Sequence, residues 1–472
     1  MSTSAPAPQH DNWNTDFSGF LRAAGKLAGA RQLAALVFLG AVLALPTITS
    51  TAASTQFVWA YFSVLTVSSF LALGFERLAG LMATAEGDGL QPVAPLVVLR
   101  ILLVPIMLVV QWLVLEFVGV ALPSSAWVAA AVWTWSALLE PVAFAALRTR
   151  GDTNTEPVTM AVVRVVQAAA LLSAAALDAG VAVMVWAVAA AEMAGALVAL
   201  RRVGRWRTLP VRASSFRAIP LRQSLALAGI DVVALVNLRV DLLVVGRMAG
   251  AVAGVTYGLA YRIVDAFNGI VGSVGLWLYA ESLNERDGAT SADGIRGRSL
   301  VLLPRLGILA AVVVVVSAGW IADLVPHVVP DVATVRALAI AFPLLTVNGI
   351  EVHARSGRGR NREILGIFVA TLTVNVIASI VFVGRFGLVG GAIALVLSEL
   401  IQTVALWVAA ATDERGLMRR PLAIAGGGVL LLAAAALALQ LGHVVLAGFA
   451  VAGVAVVVLW PGPARNPVEM VT

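Results

Sequence analysis

The chain alternates long apolar runs with short polar links along most of its length. A membrane-spanning helix needs about 20 mainly apolar residues. Runs of roughly this length lie near 33–53, 57–82, 93–120, 125–147, 158–178, 180–200, 221–246, 251–280, 299–322, 332–352, 364–384, 387–411, 422–441 and 443–460. This pattern predicts an all-α, polytopic membrane protein with about fourteen transmembrane helices.

Composition separates the chain from soluble proteins. Hydrophobic residues make up 60% of its 472 positions and charged residues only 12%, whereas a soluble domain carries about 25% charged residues. The net charge of +6 does not indicate nucleic-acid binding, because the arginines lie mainly in short links between apolar runs. Cysteine is absent and the four histidines are scattered, so we expect no metal site and no cofactor.

The basic residues predict how the chain is threaded through the membrane. Links rich in arginine alternate with links that hold little beyond Arg247, Arg336 and Arg385, as the positive-inside rule requires. The basic links hold Arg22, Lys26, Arg31, Arg148, Arg150, the six arginines of 201–217, Arg286, Arg296, Arg298, Arg355, Arg358, Arg360, Arg362, Arg415, Arg419 and Arg420. We therefore expect a multi-pass protein of the cytoplasmic membrane with both termini in the cytoplasm and a cytoplasmic tail over 1–24.

An internal repeat divides the chain. Five residues, Arg148, Asn154, Glu156, Gly180 and Glu192, recur 207 positions later as Arg355, Asn361, Glu363, Gly387 and Glu399. Both copies begin on the predicted cytoplasmic side, which indicates parallel repeats related by an axis along the membrane normal. We expect a first six-helix lobe over 25–206, a second over 207–412, and two additional helices with the C-terminal tail over 413–472.

Charged side chains inside the predicted spans are the main functional clue, because each is costly in lipid unless it is paired or hydrated. The positions nearer the middle of the membrane favour a cavity or a pair between helices, and they are Glu140, Glu192, Asp231, Arg262, Asp265 and Glu399. A second set, Glu76, Arg77, Arg100 and Arg164, lies within about two turns of a cytoplasmic end, where snorkelling to the surface explains a charge equally well. Arg77, Arg100 and Arg164 are candidates for a cytoplasmic entrance.

Sequence spacing suggests how some of these charges pair. Arg262 and Asp265 stand at i, i+3 on one helix face, where they can form an ion pair. Arg239 and Asp241 are two positions apart and point to different sides, so at least one of them needs a partner on another helix.

Glu192 and Glu399 occupy equivalent places in the two repeats. They are either polar contacts between helices or two walls of one cavity. The predicted substrate cavity between the lobes is lined by Arg239, Arg262, Asp265, Asp241, Glu192, Glu399, Glu140 and Asp231.

Motifs of enzymes and ATP-driven motors are missing. Gly25–Lys26 looks like the end of a phosphate-binding loop, but Phe20 stands where the first glycine is needed and Leu27 where Ser or Thr is needed. The predicted outer links are too short to hold a catalytic domain. We therefore expect a protein that is not an enzyme and that does not use ATP directly.

Two stretches carry a family pattern. The first comprises Leu238–Gly246 and Gly254–Arg262; the second comprises Asn375, Phe386–Ala394 and Ser398–Glu399. They resemble the start of the second lobe and the eleventh and twelfth helices of polysaccharide export flippases. Leu73–Ala79 is similar to the end of that family's second helix. The family belongs to the superfamily that also holds multidrug and toxic-compound extrusion antiporters and the lipid II flippase.

The resemblance implies a flippase. Such a protein moves an isoprenoid-pyrophosphate-linked oligosaccharide, or a related polysaccharide precursor, from the cytoplasmic to the outer leaflet by alternating access between two lobes. Arginine suits a pyrophosphate, because its planar fork binds two oxygens at once. Expected partners are the lipid-linked glycan, the bilayer, and glycosyltransferases or a polymerase of the same pathway, with the monomer as the working unit.

Two other functions stay open. A cation-coupled multidrug antiporter would favour an aromatic, carboxylate-lined cavity, and along the sequence the aromatic residues do not cluster with the buried acids. A membrane glycosyltransferase or polymerase is disfavoured by the short outer links.

Overall fold

The fold is known from a computed structural model, which describes residues 17–70, 93–149, 152, 155–204, 221–284, 291–324, 331–410 and 412–459. These residues form fourteen membrane-crossing helical segments, which confirms the predicted fold class. They are α1 Phe17–Ile48, α2 Thr51–Phe70, α3 Val93–Leu102 with Val104–Val118, α4 Ser124–Thr149, α5 Thr155–Ala176, α6 Gly180–Val203, α7 Leu221–Met248, α8 Ala251–Asn284, α9 Ser291–Leu324, α10 Val332–Ala339 with Phe342–Gly357, α11 and α12 within Asn361–Ala409, α13 Thr412–Gln440 and α14 Val444–Leu459.

Two spans are interrupted, and one long helix reverses direction, for local backbone reasons. Helix α3 breaks at Leu103, and its second part starts with a proline, Pro105, in the first turn, where the missing N–H is not needed. Helix α10 breaks in the same way before Pro343. The helix Asn361–Ala409 is too long for one span and reverses at Gly387, where φ is 58° and ψ is −132°. It therefore forms two helices, α11 over 361–386 and α12 over 388–409.

The repeat is visible in the backbone. Gly180 and Gly387, 207 positions apart, both lie at the turn into the sixth helix of their lobe, and both have positive φ, 78° and 58°. A side chain is rarely accommodated in that conformation, so glycine at both turns has a shared physical cause. Helices α1 to α6 pack mainly on one another, α7 to α12 do the same, and α13 and α14 pack together beside α9.

The helices differ in how apolar they are. Seven helices of the described chain are long and apolar enough to cross a membrane, and one of them is the double span Asn361–Ala409. Three shorter apolar helices, Leu33–Ile48, Val104–Val118 and Val444–Val458, add further spans. The remaining three, α2, α7 and α8, are the more polar ones, and they contact each other where the two lobes meet. Helices at a cavity between lobes tolerate polar residues that lipid-facing helices do not.

The apolar core is shared by the two lobes at one face of the molecule and divided at the other. We call the face with the α1–α2 and α7–α8 turns the outer face, following the predicted topology. Toward it, a single core joins both lobes, with Phe57, Trp133 and Val185 on one side and Val245, Tyr257 and Leu395 on the other. Toward the opposite face, the buried clusters are separate for the two lobes. The first-lobe core includes Val97, Leu139 and Ala199; the second-lobe core includes Ile230, Leu278 and Leu406. The lobes are therefore joined at the outer face and separate toward the inner one.

Candidate functional site at the lobe boundary

Two arginines of the second lobe share one carboxylate. Arg239 on α7 binds Asp265 on α8 with both ends of its fork, at 3.2 Å from Nη1 to Oδ2 and 2.9 Å from Nη2 to Oδ1. Arg262 binds the same Asp265 at 2.9 Å across one helical turn. The i, i+3 pair that the spacing allows is thus present, and Arg239 finds its partner on a neighbouring helix. The group carries two positive charges and one negative charge.

Arg262 also reaches across to the first lobe. Its guanidinium carbon lies 4.9 Å from the ring centroid of Tyr61 and 5.0 Å from that of Phe62, both on α2. Its Nη1 lies 3.4 Å from the Tyr61 hydroxyl oxygen. Arg239 in turn lies over the Tyr261 ring at 5.4 Å. The cation–π contacts hold both arginines in place at the boundary between the lobes.

Several buried donors in this group have no acceptor within the described chain. They are Nε of Arg239, Nε and Nη2 of Arg262, and the hydroxyl of Tyr261. Both arginines are only 8% exposed, so the surrounding solvent cannot satisfy all of these groups. A buried N–H without an acceptor is costly. An anion with several oxygens, such as a phosphate, is the ligand that would satisfy these donors and balance the excess positive charge.

The first lobe places a second charged group near this one. Arg164 on α5 binds Glu192 on α6 at 2.9 Å, and Gln167 donates to the same carboxylate at 2.5 Å. Arg164 lies over the Phe38 ring at 5.9 Å, and Phe38 packs edge-on against Tyr61 at 5.3 Å. A chain of contacts therefore runs from Arg164 through two rings to Arg262.

The two groups lie at matching depths in the membrane. Tyr61 is ten residues from the outer end of α2, Arg262 eleven from that of α8, and Glu192 twelve from that of α6. At 1.5 Å per residue this is about 15–18 Å, near the middle of an apolar layer about 30 Å thick. The charged groups of both lobes thus lie midway through the membrane.

Other predicted cavity residues lie elsewhere. Asp241 is fully buried and accepts hydrogen bonds from the Tyr257 hydroxyl and from the Leu242 amide. Glu399 is 3% exposed and accepts a hydrogen bond from Asn348 on α10 at 2.7 Å. Both acids make these hydrogen bonds within the second lobe, whereas Glu192 pairs with Arg164 in the first lobe. Asp231 is half-buried on the inner half of α7.

Glu140 is a buried acid of the first lobe. It is 6% exposed, and its Oε1 has no hydrogen-bond partner within the described chain. It lies near enough to Arg164 and Glu192 to interact with both electrostatically.

Three arginines were predicted to lie at a cytoplasmic entrance, and the two that the structure describes do not match that expectation. Arg164 does not snorkel to the inner surface, because it lies nine residues inside α5 and is held by Glu192. Arg100, another of these three arginines, is buried, with only 1% of its surface exposed. Arg77, with Glu76, lies outside the described residues.

A buried charge network joins five helices near the inner face. Glu351 binds Arg296 through both oxygens, at 3.0 and 2.7 Å, and accepts from Arg355 at 3.2 Å. Arg355 also pairs with Glu363 and donates to the Leu406 carbonyl at 2.7 Å. Arg296 and Arg355, expected among the basic links, are instead 1% and 0% exposed. They connect α9, α10, α11, α12 and, through a contact of Arg355 with Met418, α13.

Sequence reasoning missed the aromatic part of the site. Tyr61 stacks on Trp133 with centroids 5.5 Å apart, and Phe38 packs against both rings. In the fold these rings contact the arginines of the two charged groups, Phe38 with Arg164 and Tyr61 with Arg262. The available signal was the run of aromatic residues from Trp59 to Phe62 within one span.

No protein-family model and no curated protein sequence matches this chain. Among solved structures, the lipid II flippase MurJ in an inward closed conformation shares its fold with a TM-score of 0.67, at 12% identity over 91% of this chain and 98% of that chain. An outward-facing multidrug resistance MATE transporter of the MOP superfamily gives 0.64, at 14% identity over 86% and 99%. A mutant of the Vibrio cholerae MATE transporter VcmN gives 0.64, at 15% identity over 83% and 96%.

These likenesses establish the fold. The chain is an all-helical, multi-pass membrane protein whose fold is similar to those of the lipid II flippase and the MATE transporters. Which cargo passes between the lobes is a separate matter, addressed next.

Proposed function

We propose that the protein is an alternating-access flippase of the polysaccharide export type. It moves an isoprenoid-pyrophosphate-linked oligosaccharide, or a related polysaccharide precursor, from the cytoplasmic to the outer leaflet of the cytoplasmic membrane. It acts as a monomer beside the glycosyltransferases or polymerase of its pathway. The observation that carries this proposal is the pair Arg239 and Arg262, two buried arginines that share one carboxylate and keep unpartnered donors.

The chemistry of the cargo fits that arrangement. A pyrophosphate is anionic and rich in acceptor oxygens, and a guanidinium fork binds two such oxygens at once. The single carboxylate of Asp265 keeps the arginines partly neutralised when the cavity is empty, which limits the cost of holding two positive charges in the membrane. The lipid tail of the cargo stays in the bilayer while the headgroup passes between the lobes.

A cation-coupled multidrug antiporter is the second candidate, and one observation favours it. In the first lobe, Phe38, Tyr61 and Trp133 form a cluster of rings, and Phe38 also contacts Arg164, the partner of the Glu192 carboxylate. Aromatic faces near an acid suit an amphipathic cation. The two candidates make opposite predictions about the arginines.

The test compares Arg239→Ala and Arg262→Ala with Arg419→Ala, whose arginine is exposed at the inner end of α13. Either cavity substitution leaves Asp265 paired with the other arginine, so both variants should fold. Each lost charge-assisted bond should weaken headgroup binding by about 1.5–3 kcal/mol, or roughly ten- to a hundredfold. Arg→Lys at either position should restore only part of it, because a point charge replaces the fork.

The assay is flipping of a fluorescent isoprenoid-pyrophosphate oligosaccharide in proteoliposomes. Flippase function predicts large losses for the two cavity variants and none for Arg419→Ala. Equal flipping by all three variants would rule out the cationic cavity. Export of a cationic dye that requires Glu192, and is unchanged or improved by Arg262→Ala, would instead support the antiporter.

A further inference from the structure

Trp59 crosses the lobe boundary near the outer face. It belongs to α2 of the first lobe and is fully buried. Its indole Nε1 donates a hydrogen bond to the carbonyl of Ala251, the first residue of α8, at 2.9 Å. A buried indole N–H needs such an acceptor, and here the acceptor comes from the opposite lobe.

The indole ring lies in a groove formed by glycines of α7 and α8. A Cβ atom on Gly246 would lie 2.7 Å from Cη2 of Trp59, and one on Gly254 would lie 2.5 Å from Cζ2. The two glycines also approach each other closely, since the same Cβ on Gly254 would be 2.8 Å from the Gly246 Cα. Real side chains do not fit at such distances. Only glycine at both positions allows the ring to enter.

Phe62 extends the contact toward the middle of the membrane. Its ring packs against Gly258, one turn further along α8 than Gly254, and meets Trp59 edge-on with centroids 5.8 Å apart. The next turn of α8 carries Arg262, which lies over the Phe62 ring at 5.0 Å. One continuous contact surface therefore leads from the outer turn down to the charged site.

This contact lies where the lobes are joined. The apolar core is common to both lobes toward the outer face and divided toward the inner face. Access to the charged site from outside therefore requires α2 to separate from α7 and α8.

We propose that Trp59, seated between Gly246 and Gly254, is a releasable outer latch, and that its occupancy of the groove sets the balance between the closed and open states of the outer face. Withdrawal of the indole breaks its bond to Ala251 and frees the path to Arg262. This role of Trp59 does not depend on the cargo, and it is the same for a lipid-linked glycan and for another substrate.

The test uses Gly254→Ala, which places a methyl group against the indole. Its matched control is Gly272→Ala on the same helix, where an added Cβ meets nothing within 4 Å. Both changes favour the helix equally by backbone propensity. The reporter is Leu242→Cys in the cysteine-free chain, a position 1% exposed and close to Gly258. A membrane-impermeant thiol reagent is added from outside to right-side-out vesicles without substrate.

Gly254→Ala should raise the labelling rate of Leu242→Cys about tenfold or more. The added methyl group overpacks the closed state and so shifts the equilibrium toward the open state. Gly272→Ala should leave the rate unchanged. Trp59→Ala should raise it as well. The cycle with Trp59→Ala uses Gly246→Ala, whose methyl group meets the indole at 2.7 Å and then the Val118 side chain at 3.2 Å, whereas the one on Gly254 also meets the Gly246 backbone. Gly246→Ala should raise the labelling rate by itself and add little to Trp59→Ala, because the indole that the methyl group displaces is gone.

A second reporter separates opening from unfolding. Ala189→Cys lies on α6, which packs mainly on α4 and α5 of the first lobe, and is fully buried. Latch release leaves it unlabelled, whereas a misfolded variant labels at both positions. The proposal is overturned if Gly254→Ala labels like Gly272→Ala, if Gly246→Ala still accelerates labelling in the Trp59→Ala background, or if Ala189→Cys labels in parallel.

Discussion

The guanidinium of Arg262 lies over the ring of Tyr61, 4.9 Å from its centroid, and thereby ties the second lobe to the first at mid-membrane depth. Within the first lobe, Trp133 stacks on the same ring with centroids 5.5 Å apart and an interplanar angle of 13°. Tyr61 is thus held between the packing of its own lobe and a cation from the other.

This contact should appear as a coupling energy between the two residues. We expect Tyr61→Leu and Arg262→Ala to be non-additive by about 0.5–2 kcal/mol in a double-mutant cycle, the size of a cation–π contact. Tyr61→Phe should retain most of the coupling, because the ring remains. The measurement is the unfolding free energy in detergent, and additive effects would show that the contact contributes nothing.

The Arg164–Glu192 pair should respond asymmetrically to substitution. The arginine side chain is 24% exposed and the glutamate 2%. Arg164→Met leaves a buried carboxylate with only Gln167 and should cost about 3 kcal/mol, whereas Glu192→Gln leaves a partly hydrated arginine and should cost about 1 kcal/mol. Chemical denaturation of the purified variants tests this order. The double variant should be more stable than Arg164→Met alone, and the reverse order would contradict the assigned pairing.

Glu351 should be the most sensitive member of the inner network. It is fully buried and binds both Arg296 and Arg355. Glu351→Gln removes the charge that balances two buried arginines and should destabilise the protein by about 3–5 kcal/mol. Glu116→Gln, at an exposed position of α3, is the matched control and should change stability by less than about 0.5 kcal/mol. Comparable stability of the two variants would argue against the network.

Glu140 should matter for transport more than for stability. One of its oxygens is buried without a partner, so Glu140→Gln should change the unfolding free energy by no more than about 1 kcal/mol. If this acid carries the coupling proton or cation, the variant should lose the stimulation of transport by an imposed ion gradient. Proteoliposomes with and without a gradient provide the measurement, again with Glu116→Gln as control. If the gradient stimulates transport by Glu140→Gln as fully as by the unmodified protein, this acid does not take part in coupling.

The predicted topology can be tested with single cysteines, since the chain has none of its own. Arg362→Cys is exposed at the start of α11, and Leu177→Cys is 80% exposed at the turn after α5. With the N-terminus inside, an impermeant reagent added to intact cells should label Leu177→Cys and leave Arg362→Cys unmodified until the cells are opened. The opposite labelling pattern would show that the protein has the inverted orientation in the membrane.

The sequence by itself determined the helices and their number. Hydropathy is a property of each segment, and a span of about 20 apolar residues has few alternatives to a helix in lipid. The repeat was also readable, because the turn at Gly180 and at Gly387 needs a residue that tolerates positive φ. Likewise, the spacing of Arg262 and Asp265 placed both on one helix face before any tertiary contact was known.

Only the tertiary structure decided which charges meet. Arg164 was expected near the inner entrance and lies beside Glu192, while Arg296 and Arg355 were expected in basic links and are buried around Glu351. The aromatic contacts of Phe38, Tyr61 and Arg262 join the first two helices to α8, and Arg262 lies 201 positions after Tyr61. Such partners depend on how each helix is rotated and packed against its neighbours. That information is absent from local hydropathy, because a charge on a helix is equally consistent with a snorkelling, a paired or a cavity-facing position until the neighbouring helix is in place.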